Sequence, residues 1–140
     1  MTGDILKLLS ELNWNNKEKQ TIAIKVLSSR KDYNFKMLIA PLQNEFYENQ
    51  GIWWKDIALG CAIVLSNKSD SEIINLLPDL LVWLQDLNWP GAVEVFERLK
   101  KIPYLLIKKY LNDTIYKAQI ENDDQWIEWL TLLNKSLLTL

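Results

Sequence analysis

The 140-residue sequence has no histidine, one cysteine and four glycines. Without histidine it lacks the commonest general base and metal ligand, and it cannot form a Ser–His or Cys–His catalytic pair. Cys61 has no second cysteine for an internal disulfide, which favours a reducing compartment. Four glycines leave little room for a glycine-rich phosphate loop. We therefore expect no enzyme activity, no cofactor and no metal site.

Long apolar runs and an excess of positive charge are also missing. The longest apolar stretch, near residues 57–65, is too short to cross a bilayer. The segment after Met1 reaches Asp4 and Lys7 without the apolar core of a signal peptide. Sixteen Lys and Arg against eighteen Asp and Glu give a net charge of −2, which argues against non-specific nucleic-acid binding. These features predict a cytoplasmic protein with no membrane association, for which nucleic acid is an unlikely partner.

Apolar residues recur at spacings of three and four along almost the whole chain, which is typical of amphipathic α-helices. The pattern predicts helices at about 17–28, 53–65, 73–87 and 125–138, and another that begins after Asn34. The helix at 73–87 is expected to be interrupted or initiated at Pro78, and residues 122–124 are expected to cap the last helix. Proline fits the first turn of a helix, so Pro90 and Pro103 are expected where the next helices begin. The prediction is an all-α fold in a single domain over residues 1–140.

Prolines and tryptophans recur at a regular interval. The sequence around Pro78 resembles the sequence around Pro41. Four tryptophans at similar places in the helical pattern are separated by roughly 35 to 40 residues, a period typical of helical solenoids. These are Trp14, Trp54, Trp89 and Trp126.

The segment 76–99 resembles a HEAT repeat, in which a proline bends the first helix and an aspartate closes the turn. Pro78 and Asp86 stand at these places. The arginine that HEAT repeats carry early in the second helix is absent, and Glu94 lies nearby instead. The resemblance implies a HEAT-like α-α superhelix of about four helical hairpins, whose second helices line a concave surface.

The string Trp-Leu-Gln-Asp-Leu-Asn-Trp-Pro at 83–90 is similar to the signature of a small bacterial family of unknown function. Members of that family tend to end in a tryptophan-rich helix, as at 124–129 here. The resemblance covers about residues 33–138 and implies a fold more than a function. Small HEAT-like bacterial proteins occur among the immunity proteins of toxin systems, which suggests such a role by analogy.

The seven tryptophans are candidates both for the core and for binding. Three at equivalent positions are expected to pack inside the hairpins: Trp14, Trp54 and Trp89. Adjacent tryptophans cannot both face one side of a helix, so we predict that Trp53 is exposed. The binding alternative is that Trp53, or the pair Trp126 and Trp129 three residues apart, shows part of a ring to a partner.

Acidic residues near the starts of the predicted second helices are Glu18, Asp56, Glu94 and Glu128. They would form an acidic column that suits a basic partner, or simply follow the preference for acids at helix N-termini. The cluster Lys100, Lys101, Lys108 and Lys109 is interpreted as solvated surface, with phosphate contact as the alternative. Asp86 and Asn88 are expected to cap the following helix, and Cys61 is expected to be an inert core residue.

The sequence thus favours a non-catalytic protein-binding module, most concretely a bacterial immunity protein that binds and occludes a cognate, basic toxin domain. The predicted partner-binding residues are Glu18, Trp53, Asp56, Glu94, Glu128 and Trp129. The alternative is a HEAT-like nucleic-acid-binding or base-excision-repair-type protein, which would need a basic concave surface. A self-associating scaffold is a third class, since the sequence does not decide the oligomeric state.

Overall fold

The computed structural model describes residues 3–139. All regular secondary structure in that range is helical, so the all-α prediction is confirmed. The α-helices there are α1 (Gly3–Ser10), α2 (Lys17–Ser29), α3 (Asn44–Asn49), α4 (Trp54–Ser66), α5 (Asp70–Ile73), α6 (Leu77–Trp83), α7 (Ala92–Leu99), α8 (Tyr104–Ile120) and α9 (Asp124–Leu138). None of them is both long and apolar enough to span a bilayer. The chain divides into two compact units between Ser69 and Asp70.

Unit 1 is organised around α4, which packs against α1, α2, α3 and the segment before α3. A helix that is apolar on most of its circumference belongs in the interior, and most residues of α4 are buried. A Cβ atom at Gly60 would lie 2.9 Å from the carbonyl oxygen of Leu12, so only glycine allows the chain after α1 to approach so closely. Cys61 is fully buried, and burial raises the pKa of its thiol, as expected for an inert core residue.

The helix expected after Asn34 is broken into three pieces. The Asn34 side chain accepts a hydrogen bond from the Lys36 N–H, as a cap should. Two 3₁₀ helices, Phe35–Leu38 and Ala40–Gln43, then precede α3. Pro41 has no N–H and disfavours a helical backbone at the residue before it. The expected continuous helix was therefore wrong, although its start was right.

A lysine is buried at the end of unit 1: Lys68, in the loop between α4 and α5. It is only 2% exposed. Its ammonium group donates to the carbonyl oxygens of Leu27, Ser28 and Arg30 at 2.9, 3.1 and 2.6 Å. It also lies 4.3 Å from the centroid of the Phe35 ring. Lys68 thus satisfies the carbonyl groups that α2 leaves unpaired at its C-terminus.

In unit 2, α8 packs against α9, and α6 packs against α7 and α8. Pro78 lies in the first turn of α6 and Pro103 immediately precedes α8, as predicted. Asp123 caps α9 by accepting the Trp126 N–H, which confirms the expected cap at 122–124. Arg98 is 9% exposed, and its guanidinium is 2.6 Å from the Asp70 carboxylate.

Two details of unit 2 differ from the prediction. The helix expected over 73–87 is shorter, because Ile74–Leu76 is a 3₁₀ helix and α6 ends at Trp83. Asp86 and Asn88 do not cap α7. The Asp86 side chain instead accepts the Asn88 N–H within the preceding turn. Gly91, with φ of 87°, occupies the N-cap position, because glycine adopts this left-handed conformation without strain.

Candidate binding surface

Trp14, in the segment after α1, contacts the N-terminal end of α4. The backbone N–H of Trp14 donates to the Asp56 carbonyl oxygen at 3.1 Å. Its indole Nε1 donates to the Asp56 carboxylate at 3.3 Å. Trp53 occupies the N-cap position of the same helix. We call the group formed by Trp14, Trp53, Lys55 and Asp56 the tryptophan surface.

Both outer indoles of this surface face solvent. Trp14 is 61% exposed and Trp53 55%, whereas Trp54 is 6% exposed. The prediction that Trp53 is the outer member of the adjacent pair is confirmed. The prediction that Trp14 is buried was wrong, because Leu12 occupies the interior position against Gly60. The polar run after Leu12 carries Trp14 outward, where Asp56 satisfies its N–H.

Lys55 connects the two adjacent rings. Its Nζ atom lies 5.9 Å from the centroid of the Trp53 ring and 5.6 Å from that of Trp54. The two ring centroids are 6.2 Å apart and the rings are tilted by 56°. Cation–π attraction and the aliphatic stem of lysine therefore restrict the orientation of the Trp53 indole.

The predicted acidic residues fall in both units. Glu18 is exposed in the first turn of α2 and borders an open depression of about 680 Å³, also lined by Ile22. Asp56 is half-buried and engaged by Trp14. Glu94 is half-buried in the first turn of α7. Glu128 is exposed and lies four residues after Asp124, the first residue of α9.

The tryptophan pair in α9 does not form a binding surface of two exposed rings. Trp126 is completely buried, and its Nε1 donates to the Leu81 carbonyl oxygen at 3.1 Å. Trp129 is half-buried and its indole nitrogen points inward, with no hydrogen-bond acceptor among residues 3–139. The prediction that the Trp126 ring is partly exposed was wrong, and the binding role of Trp129 stays a prediction. Trp89 is half-buried.

The part of the chain that the structure describes has no group of three or more Cys, Asp or Glu side chains placed to hold a metal ion. The tryptophan surface offers two aromatic faces, one carboxylate and one ammonium group. This chemistry suits recognition of another molecule. Sequence reasoning found Trp53 and Asp56 but missed Trp14 and Lys55. The asparagines on both sides of Trp14 were the signal that it leaves the core.

A family model described as a domain of unknown function (DUF5071) matches residues 61–138. The chain belongs to this family. The matched segment contains all of unit 2 up to Leu138 and the second half of α4, and it excludes the tryptophan surface. No curated protein and no solved structure matches the chain.

Proposed function

We propose that the chain is a non-catalytic protein-binding module, most concretely a bacterial immunity protein that binds and occludes a cognate toxin. The observation that supports this proposal best is the pair of exposed indoles, Trp14 and Trp53, at one end of α4. Tryptophan is enriched among the few residues that dominate the energy of protein interfaces. A fully buried aromatic ring contributes roughly 2–3 kcal/mol from its apolar area.

The tryptophan surface is also held in place before any partner arrives. Asp56 fixes the backbone and the indole of Trp14, and Lys55 restricts the Trp53 ring. Side chains that are already ordered lose less conformational entropy on binding, so more of their contact energy appears as affinity. Exposed aromatic side chains with few remaining degrees of freedom are therefore well suited to act as anchors.

The proposed partner is basic, and two carboxylates would meet it. Asp56 lies beside the Trp14 indole, and Glu18 lies in the first turn of α2 between Lys17 and Lys19. Complementary charge increases the rate of encounter and selects among partners. A basic toxin domain, with its active site covered by the tryptophan surface, would be inhibited by occlusion without any chemistry.

The HEAT-like superhelix is part of the same proposal. The antiparallel packing expected of a helical hairpin is supported by α8 and α9, which pack together and are joined by a turn of three residues, 121–123. Within unit 2, stacked hairpins would present their second helices on one side. In that arrangement Glu94, Glu128 and Trp129 would form a partner-binding surface of unit 2.

The test is co-expression with the products of the genes adjacent to its own, followed by affinity measurement on any stoichiometric complex. The variants Trp14→Ala and Trp53→Ala are expected to weaken binding by roughly 10- to 100-fold each, as truncated interface anchors do. The matched control is Leu132→Ala, which removes a 44%-exposed apolar side chain from α9. Circular dichroism checks that each variant is folded.

Two results would count against the proposal. One is the absence of any complex with the neighbouring gene products. The other is a complex whose affinity is unchanged by both tryptophan substitutions. A salt-dependent gel shift with DNA at about 0.1 M salt would instead favour the nucleic-acid class.

A further inference from the structure

The carboxylate of the tryptophan surface has no cationic partner within the described chain. Other carboxylates each lie within 3.3 Å of an arginine or lysine nitrogen: Asp4, Asp32, Asp70 and Glu97. Asp56 is half-buried, and no arginine or lysine among residues 3–139 forms an ion pair with it. In that range its side chain accepts one hydrogen bond, from Trp14 Nε1 at 3.3 Å. Since an ionised carboxylate accepts about four hydrogen bonds, most of its acceptor capacity is unused.

Lys55, the neighbour of Asp56 in sequence, does not neutralise it. Consecutive residues of a helix point about 100° apart, so the two side chains leave α4 in different directions. The Lys55 ammonium lies 5.9 and 5.6 Å from the ring centroids of Trp53 and Trp54. In the free chain the partial positive charge at the start of α4 compensates in part for the missing cation. A positive group from outside would complete the pairing.

Trp14 adds an aromatic face beside this carboxylate. Its ring is 61% exposed, and within residues 3–139 no cation and no other aromatic ring lies against it. The bond from Nε1 places the Asp56 carboxylate at the edge of the indole. A cation above the ring is therefore attracted by the π system and is close to a carboxylate oxygen. Two attractions for the same positive charge converge at one place.

We propose that the tryptophan surface anchors its protein partner through one arginine, whose guanidinium stacks on the Trp14 ring and donates to the Asp56 carboxylate. This inference rests on the proposed function, because it assumes that the partner is a protein. Arginine fits better than lysine. Its planar guanidinium stacks with its face while its edge donates hydrogen bonds, whereas an ammonium group is compact and more strongly hydrated.

The first experiment needs no knowledge of the partner. The peptide acetyl-Gly-Arg-Gly-amide is titrated into the whole chain, and the Trp14 indole N–H is followed by NMR. That signal is assigned by its loss in Trp14→Phe. We expect a saturable shift with a dissociation constant on the order of ten millimolar, as for a single surface cation–π contact with one charged hydrogen bond.

Two controls isolate the charge on each side. A peptide with citrulline in place of arginine has the same shape without the charge, and it should give no saturable shift. Asp56→Asn keeps an acceptor for the Trp14 N–H but removes the carboxylate charge, and it should weaken arginine binding at least three-fold. Equal binding of the citrulline peptide, or unchanged binding to Asp56→Asn, would overturn the proposal. A lysine peptide that binds as tightly as the arginine peptide would overturn the choice of arginine.

The second experiment uses the complex with a neighbouring gene product. Asp56→Asn is expected to weaken that complex about 10-fold at low salt and less at 0.5 M salt, because salt screens the guanidinium–carboxylate attraction. The matched control is Glu45→Gln, which removes an exposed carboxylate from the first turn of α3 and should change the affinity less than two-fold. Circular dichroism checks the fold of both variants.

The two proposals fail separately. A complex that needs Trp14 and Trp53 but tolerates Asp56→Asn keeps the binding function and overturns the arginine anchor. A chain that binds the arginine peptide through Asp56, yet forms no complex with a neighbouring gene product, supports the anchor and counts against the immunity role.

Discussion

The two units use tryptophan in opposite ways. Unit 2 buries Trp83 and Trp126 completely, whereas unit 1 exposes Trp14 and Trp53 by more than half. The family match covers the first pair and excludes the second. Trp83 and Trp126, within the matched segment, thus stabilise a fold, whereas the tryptophan surface lies outside that segment.

The largest effect that would test this contrast is on stability. Trp126→Ala is expected to lower the free energy of unfolding by about 3–5 kcal/mol, because it leaves a large cavity and removes the indole hydrogen bond to the Leu81 carbonyl oxygen. Trp53→Ala should lower it by less than about 1 kcal/mol, since the ring is already largely in water. Urea denaturation measures both. Equal losses in the two variants would mean that the division between structural and exposed tryptophans is mistaken.

A second contrast concerns the buried cations. In unit 1, Lys68 is surrounded by backbone carbonyl oxygens, whereas in unit 2 Arg98 is paired with Asp70, whose side chain is 43% exposed. Lys68→Met keeps the aliphatic stem but removes the ammonium donor from the Ser28 and Arg30 carbonyls, while Leu27 keeps the Tyr33 hydroxyl, for an expected loss of about 2–3 kcal/mol. Arg98→Met should cost about 1 kcal/mol, because water screens the Asp70 carboxylate.

The control for both is Lys25→Met on the exposed side of α2, which should change stability by less than about 0.5 kcal/mol. Thermal denaturation at constant pH compares the three variants. If Lys68→Met is as mild as the control, the contacts of Lys68 with the end of α2 contribute little. If Arg98→Met is the most destabilising of the three, the buried cation of unit 2 contributes more to stability than that of unit 1, and the prediction is wrong.

The sequence was sufficient for the elements that local chemistry determines. The period of apolar residues predicted α2, α4 and α9 to within a few residues, and Asn34 and Asp123 cap as their side chains suggest. It failed where tertiary contacts decide. Residue type does not show that a lysine following a helix folds back onto the end of another, because the contact of Lys68 with Leu27 depends on the packing of α4 against α2.

The same limit applies to the candidate surface. That Trp53 is exposed follows from its adjacency to Trp54, which the sequence shows directly. That Trp14 joins it depends on a hydrogen bond to Asp56, 42 residues away, which no periodicity reveals. Equivalent spacing suggested that Trp14 and Trp54 have equivalent, buried environments. In unit 1 the interior position is instead occupied by Leu12. The backbone at Leu12 passes so close to α4 that only glycine fits at position 60.

The smallest expected effect concerns an exposed counterpart of the Arg98–Asp70 pair. In unit 1 the guanidinium of Arg30 donates to both oxygens of Asp32, at 2.8 and 2.5 Å, and to Asp4 at 2.6 Å. These hydrogen bonds lower the pKa of Asp32 to about 2 from an ordinary value of 3.8. A carboxyl group with a lowered pKa stabilises the fold fully at pH values above its ordinary pKa. It loses that contribution as the pH falls through about 2.

We therefore expect the melting temperature of the native chain to fall between pH 4 and pH 2 slightly more steeply than that of Asp32→Asn. The difference should be small because Asp32 is 63% exposed and the pair is screened by water and salt. Glu48→Gln, an exposed position on α3, controls for the general loss of a negative charge. If Asp32→Asn and Glu48→Gln change the fall of the melting temperature between pH 4 and pH 2 equally, the Arg30–Asp32 pair makes no specific contribution to the stability of unit 1. A steeper slope in the native chain alone, abolished by 0.5 M salt, would show that exposed ion pairs contribute there through charge.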